Sequence, residues 1–586
     1  MDGRVSLICP VIVGRDELLE LADRRLAAAR EGRGELLFLA GEAGIGKSRL
    51  LASIESRAAA AGFRVARGGT YPGDLEVAAA VLIDLARPMR RSGQLAEAGR
   101  AIEARLAEAT DSAAGGDAHR QRRILALDLA TLLAEVAEGG PTVIALEDLH
   151  QADDLTLEIL AILAARAREL PLLVIGTYRS DELYPRVPMR AWRALLLTKR
   201  LAEEARLGRL SIDGTRTMTS LLLGIGPPPS SFVETVHRRT DGIPLHVEEL
   251  LGMLAATGEL QPETLDDAAV PDTLEAAILG RMARRSPPAR RVAEVGAIIG
   301  RSFELDLLAA TIGVEAESLS RSLGELGSHF VLSESASSGR YGFRHALICD
   351  AIYGQIPAGR RRKLHERVAE RAAARGDFGD AFLSSHYERA GRRAEAFETA
   401  TRAAHAATEM SSHREAFQLY ARALRTRPTT LPEAELAMLH EAHGAAAAAC
   451  DENALAVEAL EAARATWLAV GRPVEAAAAV PAIVAARHLL GDDLGARVAR
   501  LQAAIESIAG APDSPDRDRA RARLLAGLSA AYMLDRRLDE AIVVGDTARE
   551  LAIAAGEAAT ERNAAITVGA CLVFAGWMDA GWARME

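Results

Sequence analysis

Gly41-Glu42-Ala43-Gly44-Ile45-Gly46-Lys47-Ser48 reads as a phosphate-binding loop, G-x-x-x-x-G-K-S. The apolar run 36–40 predicts a strand entering the loop, and 48–60 predicts a helix leaving it. Three glycines let the backbone turn its N–H groups inward around phosphate oxygens. The helix N-terminus adds partial positive charge. Lys47 is expected to reach the β- and γ-phosphates of ATP, and the Ser48 hydroxyl to ligate Mg²⁺. Gly41, Gly44, Ile45, Gly46, Lys47 and Ser48 are therefore the candidate nucleotide-binding residues. A glycine-rich turn carrying Lys-Ser by chance is the competing reading, and the strand-loop-helix context disfavours it.

A phosphate loop needs an acidic partner. Val143-Ile144-Ala145-Leu146-Glu147-Asp148 supplies one, as a buried strand with two acids at its C-terminal end. Glu147 is the candidate acid that holds the metal through water. Asp148 is the candidate for orienting or deprotonating an attacking water. The next strand, 172–177, leads to Arg179, whose guanidinium would suit a γ-phosphate or, equally, a surface acid. Pro244, in Thr240-Asp241-Gly242-Ile243-Pro244, opens a helix where its missing N–H costs nothing, and a rigid ring there would also suit packing against adenine.

The 586 residues exceed one core, so several domains are expected. Apolar content of 49% and charged content of 26% are ordinary for globular chains. A net charge of −11 argues against a surface that coats nucleic acid. Cys9, Cys349, Cys450 and Cys571 lie far apart without metal-ligand spacing, which fits a reducing cytoplasm. No signal peptide and no membrane-spanning run is evident, so no membrane partner is expected.

Strands at 36–40, 63–67, 143–147, 172–177 and 207–210 alternate with helical segments, which predicts a parallel sheet covered on both faces. The expected organisation is multidomain. An α/β P-loop NTPase domain spans 1–210 and a helical lid spans 211–260, broken at 224–231 by a Gly- and Pro-rich stretch. A winged-helix domain spans 261–375, with a hairpin from 330–333 and 340–343. Alanine-rich, all-α tetratricopeptide-like repeats span 376–586. Tyr387, Ala396 and Ala403 recur at the offsets of Tyr532, Ala541 and Ala548, as paired repeat helices require. A generic helical bundle is the alternative. Gly576-Trp577-Met578-Asp579 resembles an inter-repeat turn with little chain after it, so the sequence is expected to continue or to be a shortened relative of a longer protein.

Val13-Gly14-Arg15-Asp16-Glu17, the phosphate loop, LEDLHQADD (146–154), GTYR (176–179), DGIPLHVEELL (241–251) and YGFRHALICDAIY (341–353) follow one another in a familiar order. In this the chain resembles the large ATP-binding regulators of the LuxR family, within the signal-transducing ATPases with numerous domains, or STAND proteins. The resemblance implies a switch: ADP holds a closed resting state, and a signal at the repeats favours a self-associating ATP state. The inducer would be a small molecule or a protein. By the same resemblance Gly14 and Arg15 lie near adenine, Pro244 touches the base, Arg179 reads the γ-phosphate, and His345 falls where relatives touch the ADP phosphate. Arg344 and Ala346 replace the usual Met and Asp around His345, so a packed or surface histidine fits as well. Gln151 stands where relatives have Trp, and Glu147 where Asp is common, which implies slow hydrolysis. An ATPase-plus-repeat scaffold that binds protein without DNA is the alternative. DNA binding would need a C-terminal helix-turn-helix, which this sequence does not display. Its basic clusters 284–291 and 360–363 read as solvated helix faces.

Overall fold

A computed structural model describes residues 9–69, 79–93, 95–111, 118–180, 187–257, 274–329, 331–334, 340–344 and 346–585. The chain divides into two units. One runs to Arg392 and includes Glu409–Ser412, and the other comprises Arg393–Thr408 and His413 onward.

The first unit is built on five parallel strands: β1 (Glu35–Gly41), β2 (Arg64–Gly69), β3 (Thr142–Glu147), β4 (Leu172–Arg179) and β5 (Ala202–Arg206). Their order is β2-β3-β4-β1-β5. Side chains alternate between faces. Leu36, Phe38, Ile144, Leu146 and Val174 pack with helices Ala80–Arg91, Ala118–Glu138 and Asp154–Ala167. Leu37, Leu39, Val143, Ala145 and Ile175 pack on the other face with Asp16–Arg30 and Lys47–Ala60. Double coverage explains why β1, β3 and β4 are nearly continuous apolar runs.

The fifth strand differs from expectation. It lies at Ala202–Arg206, and 207–210 is irregular. β5 is an edge strand of sequence Ala-Glu-Glu-Ala-Arg, too polar to register as a buried run. Leu207 and Leu210 are buried for another reason: Leu207 packs under the phosphate loop's helix, and Leu210 packs among the helices that follow. Glu204 of β5 accepts hydrogen bonds from the Tyr178 hydroxyl and from Arg193, tying the edge to β4.

Helices Ile212–Leu223, Ser230–Thr240 and Pro244–Thr257 follow, with Met218, Phe232, Val236, Val247 and Leu251 in their shared core. Ser211 caps the first through its Oγ, which accepts from the Gly214 N–H at 3.0 Å. Gly224, at φ +64, ends it.

From Leu274 to Ala390 helices surround a small antiparallel sheet. The expected hairpin is present as β7 (Leu332–Glu334) and β8 (Arg340–Phe343), joined by a third strand, β6 (Ser302–Glu304), in the order β6-β8-β7. Gly296 is needed beneath it, since a Cβ there would fall 2.7 Å from the Phe303 ring. A polar chain crosses the adjacent core. The Tyr353 hydroxyl lies 3.0 Å from His365 Nε2, and His365 Nδ1 lies 3.0 Å from His386 Nδ1.

The second unit is a succession of antiparallel helices, among them Arg393–Thr408 of a longer helix, Glu433–Ala449 with Asn453–Ala469, and Pro515–Leu534 with Leu538–Ala554 and Ala558–Phe574. Ala396, Ala541 and Ala548 are fully buried, and Ala403 is half-buried beside buried Ala404. Small residues bring the helices close: a Cβ on Gly545 would fall 2.5 Å from Val568.

The buried histidine gives a pH dependence. Burial, reinforced by Arg389 and Arg361, depresses His365 from 6.5 to about 3. The unfolded chain then binds a proton that the folded chain refuses. Stability is therefore full above pH 6.5 and falls as the pH drops towards 3. Chemical denaturation between those limits should show that slope, and His365→Gln should flatten it.

Candidate nucleotide site

The loop 41–48 leaves β1 with Gly44 and Gly46 in the left-handed region, at φ +78 and +102. Ordinary residues resist that conformation. Gly41 is confined differently, since a Cβ there would lie 2.9 Å from the Leu207 carbonyl oxygen. Helix Lys47–Ala60 starts at once, so its unpaired N–H groups face the loop. Lys47, 7% exposed, donates from Nζ to the carbonyls of Gly41 and Glu42, at 2.8 Å each.

The acids arrive from β3. Ser48 Oγ donates to Glu147 Oε2 at 2.9 Å. Arg67, on β2, pairs with the other oxygen of Glu147 and with Glu55 at 3.0 Å. Burial pushes the Glu55 carboxyl up against the pull of Arg67. Asp148 follows at φ +57, its N–H donating to Thr177 Oγ1 of β4 at 3.0 Å. Buried His150 holds Nδ1 3.8 Å from the Asp148 carboxylate. Asp153, later in the same motif, is spoken for structurally. It caps helix Asp154–Ala167, accepting from Thr156 N–H at 2.7 Å and from Ala79 N–H, and burial raises its pKa. Arg179 ends β4 in register with Gly41.

The residues of this centre suit Mg²⁺. Ser48 and Glu147 are hard oxygen donors held 2.9 Å apart beside the loop, the donor type that Mg²⁺ takes.

On the other side of the loop a crevice of about 340 Å³, partly open to solvent, is lined by Val11, Val13, Ile45, Leu210, Met218 and Pro244 among others. Arg15 also borders it, donating to the Gly208 carbonyl, and burial lowers its pKa. Pro244 is half-buried at the first turn of helix Pro244–Thr257, and the next residue, Leu245, donates its N–H to the Gly44 carbonyl at 3.2 Å. The structure thus gathers 41–48, Arg15, Glu147, Asp148, Arg179 and Pro244 at one end of the sheet. His345 lies outside the described residues. Arg344, before it, stands 3.9 Å from Glu248 of the Pro244–Thr257 helix.

Sequence reading missed two arginines here. Arg209 spans Glu42 of the loop, at 2.9 Å, and Asp241 before Pro244. Arg67 clasps Glu147. Neither sits in a motif. Only position gave a hint: Arg67 is near the end of β2, and Arg209 lies just after the sheet.

Residues 11–175 match the family described as AAA ATPase domain. This region is a P-loop ATPase domain of the AAA kind. An uncharacterized protein of Rhizobium meliloti (strain 1021) is 26% identical over 414 residues, 65% of this chain. The match takes in 39% of that relative, so the chain spans well under half the length of the curated protein it matches. Among solved structures, a STAND protein with a tetratricopeptide repeat sensor from Pyrococcus horikoshii aligns with 98% of this chain and 82% of its own, at TM-score 0.43 and 11% identity. Cdc6p from Pyrobaculum aerophilum aligns with 61% of this chain and 98% of its own, at TM-score 0.31 and 14% identity. Among the described residues no helix is long and apolar enough to cross a membrane.

Gly44→Ala tests the contact between loop and helix. The added methyl would meet Ile243 and Leu245 at 3.2 Å on a left-handed backbone. A loss of about 2 kcal/mol is expected in chemical denaturation, together with weakened nucleotide binding by calorimetry.

Proposed function

We propose that this protein is an ATP-dependent signal-transduction switch of the STAND class and of the LuxR-type regulator kind. The observation that carries this reading is the hydrogen bond from Leu245 N–H to the Gly44 carbonyl. It ties the phosphate loop directly to the helices after the sheet, so a change at the phosphates changes how those helices dock. Arg209 reinforces the tie by bridging Glu42 and Asp241. The AAA ATPase match over 11–175 supports ATP as the ligand.

In this reading the phosphates sit against 41–48, and Lys47 exchanges its carbonyl partners for β- and γ-phosphate oxygens. Ser48 and Glu147 hold Mg²⁺, which supplies charge neutralisation at the phosphates. Asp148, fixed by Thr177, orients the attacking water. Arg179 reads the γ-phosphate. The base occupies the crevice between Arg15 and Pro244. Arg67 stays on the Glu147 oxygen that does not face Ser48, and hydrolysis in this reading is slow. The 261–375 region serves as a winged-helix element, and the helices beyond it serve as tetratricopeptide-like repeats that receive an inducer. Self-association belongs to the ATP state. DNA is a partner only where a helix-turn-helix accompanies this sequence in the whole protein.

Lys47→Ala should abolish tight ATP binding in calorimetry; binding equal to the parent's would remove the loop from the site. Glu147→Gln combined with Asp148→Asn should retain bound ATP while phosphate release stops. Light scattering should show a larger mass with Mg-ATP than with ADP. Equal masses would favour a scaffold whose nucleotide is structural.

A further inference from the structure

In the second unit one helical layer is broken. Helix Pro473–Ala478 ends at Ala479, and Val480–Leu489 begins anew. Pro481 explains the break: it has no N–H for the Ala477 carbonyl, and its ring crowds that carbonyl. Beside the break lies a hollow of about 650 Å³, partly open to solvent. Alanines 476, 477 and 504 form much of its wall and are too small to fill it. Buried Val480 and Ile483 complete the apolar surface, and Leu468, 48% exposed, stands at the rim.

Part of the rim is charged. Glu461, Arg464 and Arg500 border the hollow, and Arg487 approaches Glu461 from behind. The Glu461 carboxylate meets Arg487 at 3.4 Å, Arg500 at 3.5 Å and Arg464 at 3.6 Å. Well-formed guanidinium–carboxylate bonds run about 2.7–2.9 Å, so one acid is loosely shared among three cations. Asp492, 3.7 Å from Arg487, is the second acid of the cluster. Three guanidiniums against two carboxylates leave one positive charge in excess. Arg487 Nε is buried without a hydrogen-bond partner.

We propose that this hollow binds a small amphipathic anion: a carboxylate or phosphate head held by Arg464 and Arg500, and an apolar body laid against Leu468, Val480, Ile483 and the alanines. An oxyanion between the two rim arginines would supply the acceptors that Glu461 cannot. The apolar body would cover Leu468. The site is a binding site in its own right and does not depend on nucleotide.

The test is calorimetric titration of the full chain with sodium decanoate below its micellar concentration, beside decan-1-ol and inorganic phosphate. Decanoate should bind at least about tenfold more tightly than either control. Arg464→Glu with Arg500→Glu should weaken it by a similar factor. Ala504→Met, which fills the hollow and spares the charges, should do the same, with circular dichroism confirming the fold. If the charge-reversed variant does not fold, Ala504→Met decides. No binding by the folded parent would overturn the proposal, as would equal affinity for decan-1-ol, parent-like binding by the Ala504→Met variant, or binding of a polyglutamate peptide in place of decanoate. Lys47→Ala should leave decanoate affinity unchanged, which separates this site from the nucleotide reading.

Discussion

Leu245 donates its amide hydrogen to the Gly44 carbonyl, and that bond takes away the phosphate loop's independence. The loop cannot adjust to a ligand without moving, or releasing, the helix that begins at Pro244. Packing enforces the same constraint, because Gly44 has side chains of Ile243 and Leu245 where a Cβ would go. The ion pairs around it play a lesser part. Arg209 with Glu42 is exposed on both sides, and such pairs contribute about 0–1 kcal/mol. They fix register, while the backbone bond and the apolar crevice fix position.

The acid reaches this loop across an intervening strand. β4 lies between β1 and β3, so Glu147 is not on the strand next to the loop. One side-chain bond spans the gap and a second ties β3 to β4. Ser48 reaches to Glu147, and Thr177 of β4 holds the Asp148 N–H. The first bond aims the acid at the loop. The second, with Asp148 in a left-handed conformation, turns the chain so that successive carboxylates point differently. Two acids in sequence are thereby given distinct surroundings.

Legibility followed burial. β1, β3 and β4 were readable because both faces are covered, which demands unbroken apolar runs. β5 was not, because an edge strand can carry Glu203, Glu204 and Arg206; the apolar residues after it drew the expectation to 207–210. β6 escaped notice for a related reason. Three residues, of which Phe303 alone is buried, leave no periodic pattern. At the site, the loop and the β3 acids were legible because their chemistry needs fixed spacing along one strand or turn. Arg67 and Arg209 act across the fold, on Glu147 and Glu42, and no spacing along the chain announces such partners.

The alanine-rich second unit shows how one composition yields both tight and open packing. Where helices run unbroken, small residues let backbones nearly touch: a Cβ on Gly581 would fall 2.7 Å from the Gly569 carbonyl oxygen. Alanine has the highest helix propensity and loses no side-chain entropy, but it fills little volume. An unbroken helix answers by moving closer to its neighbour. The helix interrupted before Pro481, at Ala479, lacks the N–H that would bond the Ala477 carbonyl. The alanines beside the break then face space that no neighbouring backbone occupies. A hollow at 476–507 is therefore the consequence of alanine-rich packing meeting a proline, and the arginines at its rim decide what chemistry such a space would favour.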